Sequence, residues 1–413
     1  RVCGRRKTHL GMNGKRQIAV RGKSCLHCGF CEEYITCSRS SQGCIGCGAC
    51  LAGCPQNARR LEERSGSGPE ISFTVDNKPC SVKGPVSVLN ALEELGLALS
   101  PHTSGDRQKA SKCGVGGCWN CSVLIDKVLT PACITPLRKG MDIVTSLERI
   151  CSSEPRRVVT LMRPAPHYHP SVFTHGCNFR CDLCHNWNIT FSSAGKALSP
   201  AETVCGLALD PERDYWVGIS GGEPTLNRDW LLQTVQKLRQ ATPDIRIQLD
   251  TNGSLLTPEY IDELVIAGIT DISPDLKAVD PKTFCRLCGI GSEQTARMYL
   301  ETSWEAVRYI DDKYRDRVFM AVSLPYHPMF HSREELCQAA KAISAINRKL
   351  PVTLIEYQPA FRLRDLPFLD PTVMQEARQT VLDAGLENVL LQGGSGIPVA
   401  VDPLDLAMGS EEC

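Results

Sequence analysis

Cys177-Asn178-Phe179-Arg180-Cys181-Asp182-Leu183-Cys184 sets three thiols on one short run, with no fourth cysteine close by in the chain. Zinc sites usually draw on two pairs separated by a long loop. Runs of three or four closely spaced thiolates are instead the mark of iron–sulfur clusters. Three thiolates on a four-iron cluster leave one iron open. An open iron is what chemistry needs, because a fully ligated cluster can only pass electrons. From about residue 170 onward, short apolar runs alternate with helical stretches. Strands are expected at Trp216–Ser220, Ile245–Leu249, Ile272–Leu276, Val318–Leu324, Val352–Glu356 and Val389–Leu391. Helices are expected at Trp230–Gln240, Pro258–Ala267, Ser303–Asp311 and Arg333–Ile346. Such alternation builds parallel βα units that close fully or partly into a barrel.

The 413 residues allow two or three domains at roughly 150 residues each. Lys and Arg total 46, as do Asp and Glu, so the net charge is zero and there is no global electrostatic case for nucleic acid or an anionic membrane. No run of about 18 apolar residues and no apolar signal-peptide core occur, so a soluble, cytoplasmic protein without a membrane partner is expected. Cysteine is the outlier, with 23 copies. Disulfide scaffolds are short and secreted, whereas tight Cys-x-x-Cys spacing in a reducing compartment points to metal.

Three more blocks precede the run at 177. Cys25, Cys28, Cys31 and Cys37 form one, and Cys44, Cys47, Cys50 and Cys54, with Pro55 behind it, form the next. The second fits the bacterial ferredoxin run residue for residue. In the first, Cys37 follows after five residues rather than three. Ligand pairing between the two is open; a crossed arrangement would give Cys54 to the first cluster and Cys37 to the second, and crossing is slightly favoured. Cys113-x4-Cys118-x2-Cys121-x11-Cys133 carries the plant-type [2Fe–2S] spacing. A hairpin from Ile71 to Val82, turning at Asp76-Asn77, and a helix over Val86–Leu97 lead into it. Three modules follow: a two-cluster [4Fe–4S] module at 1–68, a [2Fe–2S] domain at 69–150, and a barrel at 151–413. Glu63–Gly68 reads as the first linker.

With its hairpin and helix, the stretch 70–148 resembles the plant-type, β-grasp ferredoxin domain of respiratory dehydrogenases and molybdenum hydroxylases. CxxxCxxC at the end of a first strand resembles the radical S-adenosylmethionine (SAM) superfamily. Gly221-Gly222-Glu223-Pro224 after one strand, Asp250-Thr251-Asn252-Gly253 ending the next and Asp275-Leu276-Lys277 after a third extend the likeness. Over residues 170–395 the chain is similar to pyruvate formate-lyase activating enzyme and its uncharacterised relatives. That resemblance implies a partial TIM-like barrel in which Cys177, Cys181 and Cys184 hold a [4Fe–4S] cluster. In that superfamily the open iron chelates SAM, and one electron releases methionine and a 5′-deoxyadenosyl radical, which is what the resemblance implies here. It further implies that Gly221–Pro224 receive the methionyl amino group and that Lys277 pairs with the SAM carboxylate. Asp275 takes a ribose hydroxyl or a monovalent cation, and Asp250, Thr251 and Asn252 complete that part of the site. Two positions depart from the family: Leu183 stands where an aromatic is usual, and Gln358 where activating enzymes tend to carry His.

The leading expectation is a radical SAM oxidoreductase with three [4Fe–4S] clusters, one [2Fe–2S] cluster and SAM. It would be served by a ferredoxin- or flavodoxin-like donor and act on a protein partner such as a glycyl radical enzyme. A dehydrogenase of small molecules or peptides, with the extra clusters as acceptors, is the alternative; a pure electron-transfer subunit is the third. Among the remaining cysteines, Cys285 and Cys288 look like half a metal site, while Cys80, Cys151, Cys205 and Cys337 read as small buried residues. His167, His169 and His175 lie near the cluster strand and are expected to serve other ends. Residues 1–24, rich in Lys and Arg without an acid, read as a solvated arm or as a docking surface for an acidic donor.

Overall fold

The computed structural model describes residues 15–35, 43–65, 68–97, 112–151, 153–163 and 169–393. Cys3, Cys37, His167 and Cys413 lie outside them. The chain divides into two units, Arg1–Pro155 with Phe191–Ala194, and Arg156–Thr190 with Gly195–Cys413. No helix among the described residues is long and apolar enough to cross a membrane.

In the first unit, β1 (Lys15–Arg21) pairs antiparallel with β2 (Arg59–Ser65), Lys15 opposite Ser65 and Arg21 opposite Arg59. Part of the basic stretch is therefore a paired strand and not a free arm, and the expected linker is strand as far as Ser65. Two one-turn helices, Phe30–Glu33 and Ala49–Ala52, lie between these strands and carry Cys31 and Cys50. The expected hairpin is present as β3 (Glu70–Val75) and β4 (Lys78–Lys83), with Asp76 and Asn77 both at positive φ, as a two-residue primed turn requires. It joins a five-stranded sheet in the order β4-β3-β7-β5-β6, where β5 is Ser122–Ile125, β6 Val128–Pro131 and β7 Asp142–Val144. The helix Val88–Glu94, capped by Ser87, buries Val88, Leu89, Ala91 and Leu92. This is the β-grasp arrangement. The segment Phe191–Ala194 also belongs here: Ser193 and Ala194 N–H donate to the Tyr34 carbonyl at 2.8 and 3.0 Å, and Phe191 is buried.

The second unit is a parallel barrel left open. β9 (Ser171–Thr174), β11 (Trp216–Gly221), β12 (Arg246–Thr251) and β13 (Asp271–Pro274) pair in parallel, in that order. β15 (Val322–Tyr326), β16 (Val352–Glu356) and β17 (Val389–Gln392) form a second parallel set, linked to the first by a bridge between Asp275 and Ser323. β8 (Arg157–Met162) runs antiparallel along β9, and a two-residue strand, β10 (Ala197–Leu198), runs antiparallel along β8. The strand expected over Val318–Leu324 is two: β14 (Phe319–Met320) closes the first sheet and β15 opens the second. Helices follow most of the parallel strands, each begun by a capping side chain. Thr257-Pro258, Asp280-Pro281 and Asp370-Pro371 put a cap before a proline at the first helical position, where its missing N–H costs nothing. The helix expected at Ser303–Asp311 runs longer, from Glu293 to Tyr314. Val217, Ile219, Ile247, Leu249, Val352 and Leu354 fill the interior.

Candidate functional site

The singled-out residues of the barrel lie at the C-terminal ends of neighbouring parallel strands, the end where barrels of this kind place their chemistry. The Cys177–Cys184 loop leaves β9, Gly221–Pro224 leave β11, Asp250 and Thr251 end β12, and Asp275–Lys277 leave β13.

Hydrogen bonds tie these ends together. The buried Glu223 carboxylate accepts from Thr251 Oγ1 at 2.7 Å, Asn252 N–H at 2.7 Å, Thr225 N–H at 3.0 Å and Thr225 Oγ1 at 2.5 Å. Burial pushes the Glu223 carboxyl up, and these donors oppose the rise. Asn252 Nδ2 donates to Asn178 Oδ1 at 3.0 Å and reaches Cys177 Sγ at 3.7 Å. Gly221 takes φ +107, and a Cβ there would stand 2.5 Å from Thr174 N, so only glycine lets β11 turn across β9 at this point. Lys277 Nζ donates to Asp275 Oδ2 at 2.7 Å. Burial works against its charge, yet Asp275, Tyr357 and Cys181 hold its pKa well above the usual lysine value. Asp250, accepting from Gln248 Nε2 at 2.6 Å, is pushed up to about 6 by burial and by the nearby Asp275.

The three thiols fit a cluster. Burial first, then Glu223 and Cys181, push the Cys177 thiol far up; burial and Cys181 push Cys184 up to about 12. Those two are costly as bare thiolates, whereas a hydrogen bond with Cys288 lowers Cys181, and iron relieves the cost by replacing protons with positive charge. Phe179 N–H already donates to Cys177 Sγ at 3.3 Å, a contact suited to a ligated sulfur. Among the described residues no three His, Cys, Asp or Glu side chains converge on a single ion.

In the first unit, one cleft is lined by Cys25, Cys28, Cys31 and Cys54 together, so the crossed partner Cys54 stands with the first block. Arg59 Nη2 donates to Cys31 Sγ at 2.9 Å. Backbone N–H groups reach two further sulfurs, Ala19 to Cys44 and Ala58 to Cys54, both at 3.2 Å. Cys113, Cys118, Cys121 and Cys133 are all buried, and Cys113 and Cys121 each hydrogen-bond Cys133.

Some expectations fail. Cys205 is exposed, and Cys80 and Cys337 are partly so, because they face outward from their elements. His175 is satisfied by Thr160 Oγ1 at 2.9 Å, and His169 lies against Tyr215 and Trp216. Leu183 is buried and offers no face to a ligand. Arg157 was not foreseen. It is fully buried at the start of β8 and donates to the carbonyls of Pro224 at 2.6 Å, Glu223 at 2.6 Å and His175 at 3.0 Å. A lone Arg opening the apolar run Val158–Met162 was the one signal. Cys288, the last residue of its helix, hydrogen-bonds Cys181.

Residues 171–338 match the family model described as the radical SAM superfamily, and residues 68–148 match that of a 2Fe-2S iron-sulfur cluster binding domain. The chain thus carries a radical SAM domain, the [4Fe–4S]- and SAM-dependent core of an enzyme class, and a [2Fe–2S] domain ahead of it in sequence. Relatives are more varied. The chain is 31% identical over 131 residues to a "Probable GTP 3′,8-cyclase" of Thermoplasma volcanium, covering 32% of this chain and 39% of that one. It is 31% identical over 126 residues to the pyruvate formate-lyase-activating enzyme of Listeria monocytogenes, covering 28% and 49%. It is 29% identical over 151 residues to the FeMo cofactor biosynthesis protein NifB of Chlorobaculum tepidum, covering 34% and 31%. The chain spans half or less of the length of each of these three.

Proposed function

We propose that the protein is an activating-type radical SAM oxidoreductase that carries its own electron relay. The observation that carries this reading is the placement of Cys177, Cys181 and Cys184 beside Glu223, Asp250 and Lys277 at adjoining strand ends of one open barrel. Cys177, Cys181 and Cys184 would hold the cluster, Lys277 the SAM carboxylate, and Gly221–Pro224 its amino group. Asp250 and Asp275 would take a ribose hydroxyl or a monovalent cation. When bound, the cluster and SAM together supply one-electron radical chemistry. The protein's own part is to bind, orient and exclude water.

The relay reading assigns one [4Fe–4S] cluster to Cys25, Cys28, Cys31 and Cys54. It assigns a second to Cys44, Cys47, Cys50 and Cys37, and a [2Fe–2S] cluster to Cys113, Cys118, Cys121 and Cys133. Plant-type centres lie near about −400 mV, in the range a reluctant one-electron reduction needs. A low-potential donor would feed them, and a partner protein such as a glycyl radical enzyme is the substrate this reading favours, on the likeness to the Listeria activating enzyme. A small-molecule substrate is the second reading, favoured by the likeness to the Thermoplasma protein.

Anaerobic reconstitution tests the cofactor set. About 14 iron per chain are expected from these assignments, and replacing Cys177, Cys181 and Cys184 together by Ala should remove four of them. Release of 5′-deoxyadenosine from SAM under dithionite should vanish in the same variant. An unchanged iron count there would refute the barrel site. Anaerobic incubation with a glycyl radical enzyme, followed by its radical signal, tests the partner.

A further inference from the structure

The helix Pro281–Cys288 ends against the cluster loop, and its last residue, Cys288, is completely buried. Two features fix where that thiol stands. The Cys288 carbonyl accepts from Arg180 N–H at 2.8 Å, a main-chain bond into the Cys177–Cys184 loop. The next residue, Gly289, takes φ +61, and a Cβ on it would lie 2.5 Å from the Arg180 carbonyl oxygen. Only glycine lets the helix end approach the loop so closely. Anchored this way, the Cys288 side chain hydrogen-bonds that of Cys181 and lies within electrostatic reach of Cys177 and Lys277. Cys285, one turn earlier, is partly exposed, whereas Cys288 is buried.

We propose that Cys288 is a positioning residue for the barrel cluster, donating an S–H···S hydrogen bond to the Cys181 sulfur that binds iron. The inference rests on the assignment of Cys177, Cys181 and Cys184 to that cluster. Once iron binding has released the Cys181 proton, its sulfur can only accept, and the neighbouring thiol is the donor. Hydrogen bonds to ligating sulfur draw charge from it and stabilise the reduced, more negative cluster, which raises the potential. Burial strengthens the bond, because no water competes for the acceptor. The effect falls on the one cluster that has to hand its electron on to SAM.

The test is a redox titration of the reconstituted full chain, following the electron paramagnetic resonance signal that changes shape when SAM is added. In Cys288→Ala the midpoint of that signal should move to a more negative potential with the iron content unchanged. In Cys288→Ser, whose hydroxyl keeps a donor, it should stay nearer the parent value. An unmoved midpoint in Cys288→Ala overturns the proposal. Loss of four iron from that variant also overturns it, since Cys288 would then be a ligand. A parent protein with no SAM-sensitive signal would instead refute the cluster assignment on which the inference rests.

Discussion

Arg157→Ala should loosen the Gly221–Pro224 turn without touching any thiol. The guanidinium is fully buried and satisfies three main-chain carbonyls, those of His175, Glu223 and Pro224. Removing it strands the His175 and Pro224 carbonyls out of reach of water, each worth about 1–2 kcal/mol, while the Glu223 carbonyl keeps a bond from Leu226 N–H at 3.3 Å. The buried charge itself carried a desolvation cost that the variant no longer bears, which offsets part of the loss. A net destabilisation of about 2 kcal/mol follows, equivalent to roughly 4–8 °C in the unfolding midpoint of a unit this size. Arg157→Lys can keep only part of the bonding and should fall between. Differential scanning calorimetry gives the midpoint, and hydrogen exchange read on peptides spanning 219–227 gives the local effect. There Gly222 N–H is bonded to the Thr174 carbonyl at 2.6 Å and Glu223 N–H to the Gly176 carbonyl at 2.9 Å. Both amides should exchange faster in Arg157→Ala. Unchanged exchange together with a midpoint shift under about 2 °C would refute the argument that Arg157 holds the turn.

Lys277→Ala should weaken SAM binding by the value of a charge-assisted hydrogen bond, about 1.5–3 kcal/mol or at least tenfold in Kd, measured by equilibrium dialysis. Asp250→Asn tests the carboxyl whose pKa is pushed up to about 6. A raised folded value means that the protonated form favours the fold, with that stability complete below the unfolded pKa near 3.8 and lost as pH rises through about 6. Thermal melts should therefore show Asp250→Asn more stable than the parent at pH 7.5 and equal to it near pH 4; equal melts at both would refute the shift. Replacing Cys118 and Cys121 by Ser should abolish 5′-deoxyadenosine release with a ferredoxin or flavodoxin donor while dithionite still supports it. Loss under both reductants would argue against a relay.

The parts of the site that were legible in the sequence are those whose chemistry is local. Cys177, Cys181 and Cys184 share one loop, and Gly221–Pro224, Asp250–Asn252 and Asp275–Lys277 each close a strand, so spacing alone displays them. The helix start at Thr257-Pro258 was readable for the same reason, whereas the one at Asp280-Pro281 went unread and the helix expected from Ser303 begins at Glu293. What stayed hidden depends on long-range encounters. Arg157 finds its carbonyls 18, 66 and 67 residues away, and nothing beside it in sequence says so. Cys288 meets Cys181 only because Gly289 fits under Arg180. Lys15–Arg21 reads as a charged tail until its partner β2 is known. Cys205 reads as buried from its residue type, yet the helix Pro200–Leu207 turns it outward.

The four residues Phe191–Ala194 bear on biosynthesis. The first unit includes them, and Ser192 Oγ donates to the Tyr34 carbonyl across 158 positions of chain. That unit is therefore incomplete until the ribosome has passed residue 194, on the order of 10–30 s after Tyr34 emerges at about 5–20 residues per second. During that interval Phe30 and Ile35, buried in the finished unit, wait without their last covering segment. A fragment that ends at the border after residue 68 would keep Phe30 and Ile35 without that segment and so carry an uncovered apolar patch.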